Sequence, residues 1–180
     1  MKLIQTLRRF ARENKGVAAL EFAIIAPLLM VPLLLGSVDL VDVMNANKRA
    51  QNAAASLADV AARDTEISNA ELTGMWRALD LLMYPNAAGS MEIRISSISI
   101  VSASTARVVW SEGHGGMSAR TANSNVALDS RMMNVGTSII LVESVYKHDA
   151  PLGFLFQNQV RMTHDAYRRS RLVDPIPRVA

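Results

Sequence analysis

A chain of 180 residues that is 50% hydrophobic and 19% charged can build one small domain and an apolar anchor, not two sizeable domains. It holds no cysteine, which excludes disulfides, thiolate metal sites and cysteine nucleophiles. The net charge of +3 is concentrated at one end, since residues 1–16 carry five basic groups and one acid, so overall basicity gives little support to nucleic-acid binding.

Those basic groups are Lys2, Arg8, Arg9, Arg12 and Lys15. Gly16 follows, and from Phe22 to Val38 the chain carries no charge. As a helix, residues 16–38 span about 34 Å, which matches a hydrocarbon core of roughly 30 Å. Basic residues ahead of an apolar span put the N-terminus in the cytoplasm and the rest beyond the bacterial inner membrane. Three readings fit this pattern. A cleaved secretory signal accounts for the basic start. However, the run is long for one, contains Pro27 and Pro32, and has no clear cleavage site followed by a typical mature start. A plain single-pass anchor accounts for the length but leaves Glu21 unexplained, a carboxylate that is costly in lipid. A prepilin-type signal accounts for all of it. Its leader ends in glycine, cleavage follows Gly16, the apolar helix is retained, and Glu21 becomes the fifth residue of a chain beginning at Val17.

The stretch RRFARENKGVAALEFAIIAPLLMVPLLLG and the alanine-rich NKRAQNAAASLADVAARD resemble TadE-like proteins. These are minor pilins, or pseudopilins, of the tight-adherence (Flp, type IVc) pilus system. The resemblance is strongest over residues 8–63. Major Flp pilins usually have tyrosine after the glutamate, where Phe22 stands here, and they are much shorter. The resemblance implies processing by a prepilin peptidase and a part in pilus assembly or initiation. It implies as partners other minor pilins, the major Flp pilin and inner-membrane platform proteins. It implies no cofactor and no catalysis, and it allows for exposure at the cell surface in the pilus. The alternative from another class is a single-pass anchored binding domain that never enters a filament.

Cleavage would create an α-amino group at Val17, one helical turn from Glu21. The carboxylate could then pair with its own amine or with that of an offset neighbour, and the second arrangement would set register between subunits. Ala19, Ala23 and Ala26 share one helix face, either as a close-approach surface or simply because alanine is common in such helices. Pro27 and Pro32 predict a kink or local unwinding.

Residues 39–63 continue the helical pattern. Leu40, Val43, Met44, Asn47, Ala50, Ala54, Leu57, Ala58 and Ala61 form a stripe, and Asp39, Asp42, Lys48, Arg49 and Asp59 are expected off it. Ser68 and Glu71 have capping-box spacing. A short amphipathic helix follows, with Leu72, Met75, Trp76, Leu79 and Met83 on one face and Trp76 as a core anchor, ending at Tyr84 and Pro85. From residue 91 the period becomes two. Met91, Ile93 and Ile95 alternate, then the phase slips to Ile98 and Ile100, which predicts a bulge near Ser96 and Ser97. Residues 105–111, 137–148 and 158–169 complete four antiparallel strands. Residues 112–136 read as a loop followed by a short helix before Gly136, an insert that is either functional or disordered. The tail reads as extended, and Arg168, Arg169 and Arg171 as a solvated rim.

His114, His148 and His164 have no metal-binding spacing, and no nucleophile elbow or phosphate loop is present. The GHGG stretch faintly resembles an oxyanion loop but has no nucleophile beside it. The sequence therefore predicts an α+β protein with a pilin-like plan. A leader (1–16), a transmembrane segment (17–38) and an amphipathic spine (39–63) precede a head (64–180) with a short helix and a roughly four-stranded sheet.

Overall fold

The computed structural model describes residues 16–180, so the basic leader lies outside the described residues except for Gly16. One helix, α1, runs from Val17–Ala62 without a break, passing through both prolines. A second helix, α2 (Asn69–Met83), precedes the strands β1 (Met91–Ser102), β2 (Thr105–His114), β3 (Asn125–Val126), β4 (Ser138–His148) and β5 (Val160–Arg169). They form one antiparallel sheet in the order β3-β2-β1-β4-β5. The architecture is α+β with a spine helix, as the sequence predicts. The fifth strand is a two-residue edge formed within the long insert.

The outer half of α1 lies across β4 and β5. Its buried face is mostly alanine, at Ala46, Ala50, Ala53, Ala54, Ala58 and Ala61, with Val43 and Leu57 between them. Bulky side chains come from the sheet instead: Ile93, Ile95, Ile140, Val142, Tyr146 and Met162. Small residues on one side allow the backbones to approach, and large ones on the other fill the space at interior density. The stripe is rotated from the one the sequence suggests. Leu40 and Met44 are exposed, Ala46 and Ala53 are buried, and Asp39 is fully buried.

The capping box that starts α2 is formed. The Glu71 carboxylate accepts from the Ser68 N–H at 2.5 Å, and the Ser68 hydroxyl accepts from the Glu71 N–H at 3.2 Å. The bond from the Ser68 N–H holds the Glu71 carboxyl below its ordinary range. Leu72, Met75, Leu79 and Met83 enter the core. Trp76 is only half-buried and stacks on His114 with ring centroids 4.7 Å apart, so it closes an edge of the core instead of anchoring its centre.

β1 carries no bulge at Ser96 and Ser97. Its register with β4 is unbroken from Met91 to Ser99. The bulge is across the ladder, in β2, where Ser97 pairs with Trp110 and Ile98 with Val108, leaving Val109 extra. The apolar phase slips because β1 buries both faces in turn. Ile93 and Ile95 meet the helices, whereas Ile98 and Ile100 join a second small core on the other face. The bulge re-aims β2 in the same way, so Trp110 joins the helix-side core and Val108 the other, although the sequence places them in one alternation.

The insert of residues 115–137 covers that second core. Val126, Leu128, Met132 and Met133 pack on Ile98, Ile100, Ile139 and Leu141. The expected helix before Gly136 is a single 3-10 turn, Ser130–Met132, capped by Asp129. One ion pair, Arg120 with Glu143, ties the insert to β4, and Arg94 on β1 shares the same carboxylate while donating to the Ser118 carbonyl of the insert at 2.9 Å. Glu143 accepts from Arg120 at 2.6 and 2.9 Å and from Arg94 at 2.9 Å. The glycines of GHGG are needed for chain reversal: Gly115 has φ +68°, and a Cβ there would lie 2.2 Å from the Met91 carbonyl oxygen. The tail is also docked. Ile176 is fully buried, the Trp110 indole donates to its carbonyl at 2.8 Å, and Ile67 pairs with Arg178 in a parallel bridge.

Two outcomes follow for the full-length protein in detergent. Ala54→Leu overfills the helix–sheet contact and costs about 1–3 kcal/mol, read from chemical denaturation. Glu143 is pushed up by burial, but the hydrogen bonds from Arg120 and Arg94 outweigh this and hold its pKa below the ordinary value. Its stabilisation is therefore present at neutral pH and lost as pH falls through the acid range. Glu143→Gln should destabilise by about 1–3 kcal/mol at pH 7, with the gap in melting temperature closing as the pH is lowered.

Candidate functional site

α1 changes character along its length. Up to Leu35 the side chains project outward with no packing from the head, and the 18-residue apolar window of this helix is entirely unburied. Phe22 is 72% exposed and Leu28 is 72% exposed, values that water alone would not favour. Such a run is long and apolar enough to cross a membrane.

Gly16 is the N-cap of α1, and a side chain added there would meet nothing within 4 Å among the described residues. Val17 opens the helix, and Glu21 follows four residues later on the same face. Both are exposed, as are Ala19 and Ala23, and Ala26 is half-covered. Helical spacing thus brings these positions onto neighbouring parts of the bare segment.

At the other end of the apolar run is a residue whose part the sequence reading missed. Asp39 is fully buried, and its carboxylate accepts backbone N–H groups from Leu152 at 3.0 Å, Phe154 at 2.7 Å and Leu155 at 2.9 Å. Burial raises its pKa, but the bonds from Leu155, Leu152 and Phe154 outweigh burial and hold the carboxyl below its ordinary range. One turn on, Asp42 lies 2.6 Å from the His148 Nε2. The signal was available: Asp39 stands four residues before Val43, on the buried stripe, where an unpaired charge would not be tolerated.

The remaining polar groups fall into separate places. Of the expected arginine rim, Arg171 lies 2.6 Å and Arg168 3.9 Å from Asp59, which Arg63 also meets at 2.5 Å. Arg169 is exposed. His114 stacks on Trp76, and His164 is driven below its ordinary pKa by burial. Among the described residues no three His, Asp or Glu side chains gather as a metal site would.

A bare apolar helix that continues into the spine of an α+β head defines a class of chain suited to membrane anchoring through one helix. Residues 16–59 match the family model described as TadE-like protein, a span confined to Gly16 and α1. That TadE-like segment points to the tight-adherence pilus system, with pilins or pilus machinery as partners in general. No curated protein and no solved structure matches the chain.

Leu28→Arg puts a charge near the middle of the apolar run and should cost about 3 kcal/mol of membrane insertion. The expected result is partial release from carbonate-washed membranes. Leu81→Arg, at a position that is already 81% exposed on α2, should leave retention unchanged.

Proposed function

We propose that this chain is a minor pilin of a tight-adherence pilus, cut after Gly16 by a prepilin peptidase and used in assembly or initiation of the filament. The observation that carries the reading is the division of α1. One continuous helix has a bare apolar half with an acid at its fifth position and an outer half that bears the head. Before assembly the bare half sits in the inner membrane, with the leader in the cytoplasm and the head in the periplasm. In the filament the same surface packs against the helices of other minor pilins and the major Flp pilin.

Each site residue then has a physical task. Gly16 has no packing role among the described residues, so the need for glycine falls on recognition by the peptidase. Cleavage frees the Val17 amine, and Glu21 pairs with it or with that of a neighbouring subunit, offsetting the cost of a carboxylate in lipid. Ala19, Ala23 and Ala26 let neighbouring helices approach. Inner-membrane platform proteins receive the processed chain.

Mass spectrometry of the membrane-extracted protein should find Val17 first. An intact leader in cells with an active prepilin peptidase would instead indicate a plain anchor. Glu21→Gln should be cleaved normally and retained in membranes yet fail to support piliation; wild-type pilus numbers in that variant would sink the role given to Glu21.

A further inference from the structure

The connection between β4 and β5, residues 149–159, does not stand away from the molecule as hairpin loops usually do. It turns back along α1. Its backbone is fixed by the three hydrogen bonds to Asp39, and Phe154 and Leu155 lie against α1 at Gly36. A Cβ at Gly36 would sit 3.9 Å from the Phe154 ring and 4.0 Å from Leu155. Yet this well-held loop turns apolar side chains outward: Leu152 is 51% exposed, Phe154 46% and Leu155 52%. Residues 150–160 carry no charge.

Its height on the spine identifies the environment. From Val17 to Gly36 the helix rises about 29 Å, close to the thickness of a hydrocarbon core. The loop therefore meets α1 where the helix leaves the lipid. Asp39 would otherwise present a charge at that boundary, and the loop's own N–H groups enclose it.

We infer that the tip of the β4–β5 loop is a second membrane contact, with Leu152, Phe154 and Leu155 immersed at the boundary between lipid headgroups and acyl chains. Apolar and aromatic side chains are favoured at that depth, and each adds buried area to the anchor. Two contacts on one rigid body fix the rotation of the head about its spine, which a lone helix cannot do. Asp39 is the positioning residue, because it joins the loop to the helix at the correct level. The inference rests on α1 spanning the membrane and not on cleavage at Gly16.

The chain has no native cysteine, so single sites can be labelled cleanly in the full-length protein. An environment-sensitive fluorophore is attached to Leu152→Cys, Leu155→Cys, Leu28→Cys or Leu81→Cys, and each protein is reconstituted into phosphatidylglycerol/phosphatidylethanolamine vesicles. Lipids with a nitroxide near the headgroup or deep in the chain serve as quenchers. The expected result is strong shallow quenching at 152 and 155, deep quenching at 28, and several-fold weaker quenching at 81. Asp39→Ala should reduce quenching at 152 while leaving 28 unchanged. Deep quenching at 28 with a water-exposed label at 152 and 155 would overturn the loop contact and leave the spanning helix standing. A label at 152 that is shielded from water but not quenched by either lipid would assign the loop to a second protein and also overturn it. Loss of quenching at 28 as well would remove the membrane reading and the inference with it.

Discussion

The contact between the alanine face of α1 and the sheet supports everything else in the molecule. Alanine contributes little buried area of its own, but it lets a helix lie close to a sheet whose isoleucines, Tyr146 and Met162 fill the interface. The same helix loses little conformational freedom on forming, because alanine has the highest intrinsic helix propensity. A single element can thus be a rigid spine and the floor of a core. Its rigidity links the head to the apolar half, so any force or orientation imposed on one is transmitted to the other.

The sheet is not a simple layer with one wet face. Near the start of β1 the helix side is buried; through its middle, residues 95–98, both sides are, and beyond that burial passes to the other side at Ile100. The insert provides the second cover, and the ion pair of Arg120 with Glu143, with the Arg94 hydrogen bond to the Ser118 carbonyl, holds its first part in place. The bulge at Val109 lets β2 follow the change by turning Trp110 toward the helices while Val108 faces the insert. Trp110 then meets the tail at Ile176, which ties the chain's last residues to the link between the two helices. An insert that reads as a loop is therefore a structural lid over part of the sheet.

The two acids at either end of the apolar run face opposite physical situations. Asp39 is enclosed by protein and satisfied within its own chain. Glu21 stands on a bare helix face, outside the head's packing. A carboxylate with internal donors stabilises one conformation. One without them favours association with a group of opposite charge. Under the proposed function, this difference separates a positioning role near the head from an assembly role for Glu21 at the far end of the apolar run.

Local chemistry made much of this legible in advance. The length and lack of charge of residues 22–38, the capping box at Ser68 and Glu71, the stripe of α2 and the alternation of the strands each depend on neighbours in sequence. So did the Gly16 and Glu21 spacing that directs attention to the N-terminal bond. Other features needed long-range contacts. The rotation of the spine stripe depends on which sheet face α1 meets. The burial of Asp39 depends on donors more than a hundred residues away, and the placement of the phase slip depends on a bulge in the neighbouring strand. The sequence by itself determined the helical spine, its apolar half and the kind of sheet, because those follow from propensity and period. Only the tertiary structure decided which charges were enclosed, which loops became covers and what stands at the helix's exit from the apolar zone, because those follow from packing between distant segments.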